Sequence, residues 1–164
     1  MIREACCVAA VSTLAAACPA LAADIPAKLA PPPEAKLVGA YKATGNQVYV
    51  CTAEGSTVQP VFKAPEAQLM ENDKPVARHY AGPTWEAFDG SKVVGKVTES
   101  VPAPKQGDIP WLLLTARSTG KGIFSGVRFV QRVDTSGGAA AQTACPSAGM
   151  ELRVPYTATY RFFR

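Results

Sequence analysis

Residues 156–163, Tyr-Thr-Ala-Thr-Tyr-Arg-Phe-Phe, place Tyr156, Ala158, Tyr160 and Phe162 on one side of an extended chain and Thr157, Thr159 and Arg161 on the other. A period of two is that of a β-strand with one buried face. Working back from this segment, the same grammar recurs. Val127–Val133 (VRFVQRV) sets Val127, Phe129 and Val133 on one face and Arg128 and Arg132 on the other. Trp111–Arg117 (WLLLTAR) is a nearly continuous apolar run and reads as a buried strand. Thr84–Phe88 and Lys92–Thr98 read as a hairpin around Asp89-Gly90-Ser91, since Asp-Gly suits the left-handed turn that tight hairpins need.

Nearer the N-terminus, Gln47–Thr52 (QVYVCT) is rich in β-branched and aromatic residues between two turn-forming clusters. Residues 58–62 (VQPVF) read as an edge strand, because Pro60 has no N–H for a central position. Residues 65–71 (PEAQLME) fit either a turn of helix begun by Pro65 or a strand linked onward through Asn72-Asp73-Lys74. Helical periodicity is otherwise nearly absent. The expectation is an all-β, single-domain β-sandwich or barrel of about eight short, mainly antiparallel strands with long Gly/Pro loops. Pattern alone leaves sandwich and barrel both open.

The first residues carry a different signal. Arg3 precedes an apolar run from Ala5 to Ala17, too short for the ~20 residues that cross a bilayer as a helix. Ala20-Leu21-Ala22 follows as an A-x-A cleavage site. Residues 1–23 therefore read as a cleavable secretion signal, with a lipoprotein anchored at Cys18 as the lesser alternative. Residues 24–36, with Pro31-Pro32-Pro33, read as an extended N-terminal arm, and residues 37–164 as the β domain. Three of the five cysteines leave with the signal. Cys51 and Cys145 remain, and two cysteines in an exported domain imply one disulfide. The expected location is extracytoplasmic, periplasmic or secreted.

Net charge is +4 and unclustered, which argues against nucleic acid as a partner, and no later stretch is a transmembrane segment. One histidine and two distant cysteines match no zinc spacing, so no metal is expected. No G-x-S-x-G elbow, H-E-x-x-H, P-loop or G-x-G-x-x-G occurs, so no cofactor is expected either. The densest chemistry lies in Ala77–Ser91, ARHYAGPTWEAFDGS. It holds the lone His79 with Tyr80, Trp85, Glu86 and Asp89. Folded back as a hairpin, it would let His79 and Glu86 form a base held by a carboxylate. The competing reading makes Trp85 and Phe88 core, Gly82-Pro83 a turn and Asp89-Gly90 a hairpin closure. In that reading Trp85→Ala is costly and a surface His79 is replaceable at little cost.

The run HYAGPTWEAFDGSKVVGKV, with VYVC before it and IPWLLL, VQRVDTSGG and VPYTATYRFF after it, resembles the secreted domain-of-unknown-function family DUF3455 of bacteria and fungi. The resemblance covers the chain from about Leu37 onward and implies no catalytic residue. Some fungal relatives carry a malate-dehydrogenase label, but a nicotinamide enzyme needs the glycine fingerprint and βαβ units missing here. Two functions follow as expectations. The first is a non-catalytic binding or surface module that uses Tyr80 and Trp85, with a small molecule, a glycan or the cell envelope as partner. The second is a small hydrolase-like enzyme built on His79, Glu86 and Asp89.

Overall fold

The computed structural model describes residues 24–141 and 144–164; residues 1–23, expected to be a secretion signal, and Cys18 with them lie outside the described part. Each strand pairs antiparallel with its neighbour in sequence: β1 (Leu37–Glu54), β2 (Thr57–Glu71), β3 (Lys74–Tyr80), β4 (Thr84–Ala87), β5 (Lys92–Val101), β6 (Trp111–Thr119), β7 (Phe129–Gly137) and β8 (Glu151–Phe163). β8 then pairs with β1 from Leu37 to Val50, and the sheet closes into an eight-stranded barrel. Closure settles the choice between sandwich and barrel. Residues 65–71 are strand, because Asn72 and Asp73 both adopt left-handed φ (49° and 61°) and turn the chain tightly into β3.

Strands β1 and β2 run to 18 and 15 residues, longer than the short strands expected. Gly45 is what lets them lie so close: a Cβ there would meet the Glu66 carbonyl oxygen. β3 and β4 have only 7 and 4 residues. β3 pairs with β2 over Ala67–Glu71 alone, and β4 reaches only Lys92–Val94 of β5. Among the described residues, the ladders leave the rest of β2 and β5 unpaired on that side. The result is a lateral window in the wall above the β3–β4 turn. Pro60 does sit where β2 has a free edge.

Two apolar clusters result. The larger fills the barrel and includes Tyr156, Ala158, Tyr160 and Phe162, as the alternation of β8 requires. One end is plugged: the β6–β7 connection folds inward and buries Phe124 against Tyr41 and Phe162. The smaller cluster lies on the outer face of β6 and β7, where Leu29 covers Trp111, Leu113 and Val133. Leu29 belongs to the Pro-rich arm, which is interrupted by one 3-10 turn (Ala27–Leu29) and held by Gln131 Nε2 donating to the Leu29 carbonyl at 2.6 Å.

This second layer decides which face of β7 points inward. Val133, and Phe129 beside it, pack outward under the arm, while Val130 and Arg132 face inward with their β8 partners Phe162 and Tyr160. Phe88 is likewise not core: it is 53% exposed, with the Arg78 guanidinium 5.5 Å above its ring. Cys51 and Cys145 form the expected disulfide across 94 residues, tying the β7–β8 connection to β1.

Candidate functional site

The end opposite the plug is open. There the inward side chains of β1, β3, β4, β6, β7 and β8 surround a cavity of ≈ 360 Å³, reached through the mouth and the lateral window. An eight-stranded barrel is just wide enough to be filled by its own side chains or to hold one small molecule. The floor is aromatic. His79 stacks on Trp85 with ring centroids 4.5 Å apart and planes 3° from parallel, and Tyr160 packs edge-on against both. Below it Trp85 meets Phe162, which meets the plug residue Phe124, so one aromatic column runs from cavity to plug.

Alternation on β3 and β4 decides which of the expected site residues meet. His79 and Trp85 are cross-strand partners that point inward and are 3% and 1% exposed. Tyr80 and Glu86 lie on the outer face, where the Tyr80 hydroxyl donates to Glu86 Oε2 at 2.9 Å and Lys92 Nζ stands 3.0 Å from Oε1. These partners, Lys92 foremost, hold the Glu86 carboxyl below its usual range. His79 and Glu86 therefore occupy opposite faces of the sheet and form no dyad. Tyr80 and Trp85 are separated in the same way, so they make no common platform.

Asp89 lies at the other end. Its carboxylate accepts from the Ser91 hydroxyl and backbone N–H and from the Ile123 N–H at 2.7 Å, and these bonds, Ser91 first, lower its pKa. The Ser91 hydroxyl is itself reached by the Phe124 N–H. Asp89 is thus the latch of the plug. The expectation of a surface His79 is corrected by its burial. Its Nδ1 lies 2.9 Å from the Thr84 carbonyl, an acceptor, so Nδ1 carries the proton. Burial drives its pKa down to about 3, and the ring is neutral at ordinary pH.

Four residues that the sequence reading passed over complete the cavity: Gln47, Tyr49, Arg132 and Tyr160. Arg132, on the face opposite Phe129 and Val133, points inward, and its Nε and Nη2 reach the Pro110 carbonyl at 3.0 and 2.9 Å across the rim. The Tyr49 hydroxyl donates to the Gly138 carbonyl at 2.7 Å and fastens the β7–β8 connection there. Trp85 Nε1 and Gln47 Nε2 are buried donors without a hydrogen-bond partner; the Gln47 amide lies beside the Tyr156 hydroxyl without forming a well-aligned bond. Among the described residues no three His, Cys, Asp or Glu side chains come together as metal ligands.

No curated protein and no solved structure matches the chain. A family model described as "Protein of unknown function (DUF3455)" matches residues 70–164. That span holds β3 to β8, and with them His79, Trp85, Arg132 and Tyr160, while β1 and nearly all of β2 precede it. With more than half its length matched, the chain belongs to the DUF3455 family.

Proposed function

We propose that this protein is a non-catalytic binding domain that acts outside the cytoplasm and takes one small, largely apolar molecule into the mouth of its barrel. The observation that carries the reading is the ≈ 360 Å³ cavity, walled by residues such as Val97, Ile109, Leu112 and Leu114 and floored by the His79–Trp85 stack. Concave, mostly apolar sites with a few placed polar groups are where small molecules bind. A catalytic reading has less support, because the imidazole is neutral, committed to the Thr84 carbonyl and remote from Glu86 and Asp89. The disulfide supports an oxidising compartment, and no helix among the described residues is long and apolar enough to span a membrane.

Titration with the naphthalene probes 8-anilino-1-naphthalenesulfonate and N-phenyl-1-naphthylamine tests the cavity. Saturable one-to-one binding of at least one probe is expected, and Leu112→Trp, which fills the cavity from β6, should abolish it. Failure of both probes to saturate, or binding indifferent to Leu112→Trp in a folded protein, would overturn the reading. Intact mass of the exported protein tests the compartment: a chain starting at Ala23 or Asp24 is expected. Retention of Met1 to Ala22 contradicts it, and a lipid on Cys18 shifts it to the anchored form.

A further inference from the structure

The mouth cavity carries positive charge with no carboxylate to answer it; its acceptors are neutral, among them Nε2 of His79. Arg132 points inward from β7, half-buried; two of its five N–H donors go to the Pro110 carbonyl, and the guanidinium also reaches the Tyr160 hydroxyl. No Asp or Glu lines the cavity, and among the described residues none lies within ion-pair distance of Arg132. The other cation of the lining, Lys63, is already paired with Glu151 at 2.8 Å. Around Arg132 stand the Tyr160 ring, the neutral imidazole of His79 and the walls that carry the unpartnered Trp85 and Gln47 N–H groups.

A guanidinium at a half-exposed apolar rim with no counter-charge has N–H donors left for an anion, and the pair strengthens as the ligand excludes water. The ring of His79 adds no competing positive charge, since it is uncharged at ordinary pH.

We infer that the ligand of the mouth cavity is a small organic acid: an apolar body that rests on the Trp85–His79 floor and one anionic group on the Arg132 guanidinium. The inference rests on the binding reading above and narrows it to a ligand class. A planar anion suits guanidinium, whose remaining N–H donors can engage two oxygens at once. Hydrogen bonds of Arg132 to Pro110 hold the guanidinium at the rim, where the charged end of such a ligand would emerge and its body would stay below.

The two probes named above share a ring skeleton and differ in the sulfonate, so their ratio reads the charge preference directly. Wild-type protein should bind the sulfonate at least about tenfold more tightly than the neutral amine, a difference of about 1.4 kcal/mol. Arg132→Gln should bring that ratio near unity and leave the affinity for the neutral probe within about twofold. Arg132→Lys keeps the charge but cannot span the Pro110 carbonyl with two donors, and it should retain most of the preference. Thermal melts of each variant report whether the rim has come apart.

Equal affinity of the wild-type protein for both probes would overturn the inference and leave the cavity reading intact. So would an Arg132→Gln variant that weakens both probes alike, which marks Arg132 as a loop fastener only. If neither probe saturates, the cavity reading fails and the ligand class falls with it.

Discussion

At the plugged end of the barrel, the β6–β7 connection folds inward: Phe124 fills the bore and the Asp89 carboxylate and Ser91 hydroxyl hold its backbone N–H groups. At the mouth, the β5–β6 and β7–β8 connections lie along the rim, fastened by Arg132, Tyr49 and the Cys51–Cys145 bridge; among the described residues Ile109 reaches in only as a wall of the cavity. The strands are the same, and so is their inward chemistry of aromatic and aliphatic side chains. One connecting segment turned inward makes a core; two laid along the edge leave a container. The short β3–β4 hairpin accentuates the difference by opening a window only on the mouth side.

The comparison breaks most severely at Trp85, the boundary between the two ends. Trp85→Ala should cost about 3–5 kcal/mol in denaturant unfolding, because it removes both the cavity floor and the head of the aromatic column. A variant that unfolds at the wild-type midpoint would show that the mouth is energetically separate from the plug. Next comes the bridge. Cys51→Ala should cost about 2–5 kcal/mol, and hydrogen exchange should rise in the β7–β8 connection while the plug stays protected.

Acid sharpens the contrast through His79. Its folded pKa, about 3, lies below the unfolded value of ~6.5, so the unfolded chain binds the extra proton between them. The stability that neutral His79 permits is therefore complete above pH ~6.5 and is lost as pH falls toward 3, with a slope of up to ~1.4 kcal/mol per pH unit. His79→Leu should flatten that slope between pH 6 and 5, above the range where the carboxylates titrate; an unchanged slope there would show that His79 is solvated.

At the plug, Asp89→Asn should cost about 1 kcal/mol, since it weakens one exposed and two part-buried bonds without removing them, and should speed exchange of the Ile123 and Phe124 amides. The smallest effect belongs to Glu86→Gln on the outer face, which should leave the unfolding midpoint and probe binding unmoved. A loss of probe binding there would restore Glu86 to the site.

Strand content was legible because most outer positions are wet: Tyr156–Phe163 alternates cleanly, and Trp85 and Ala87 share the inner face as their parity implies. β7 did not reveal which of its faces is the core, because its outer face is dry as well. Leu29, about a hundred positions earlier, covers Phe129 and Val133, so both faces of the strand are apolar and parity carries no sign. Arg132 was lost to the site for that reason. His79 was misjudged by residue type: an imidazole looks like a surface group until the indole it stacks on and the carbonyl it bonds are known. The role of Asp89 was half legible, its turn being local and its latch lying 34 residues away. Barrel closure depends on β1 meeting β8, the least local pairing in the fold, and no window of sequence displays it.

That same pairing governs how the chain can reach its final shape. The first strand finds its second partner only in residues 151–163, and Lys36 and Arg164 exchange two backbone hydrogen bonds at 3.0 Å to clasp the seam. A chain that emerges N-terminus first must hold β1 with one bare edge until nearly all the rest has appeared. Such late, long-range joining is slow, and the waiting edge invites association with other chains. Cys145 emerges before β8, so oxidation can draw the two sides of the seam together ahead of zippering. A premature stop within β8 would be as damaging as one in mid-chain, because it removes the piece that turns an open sheet into a vessel.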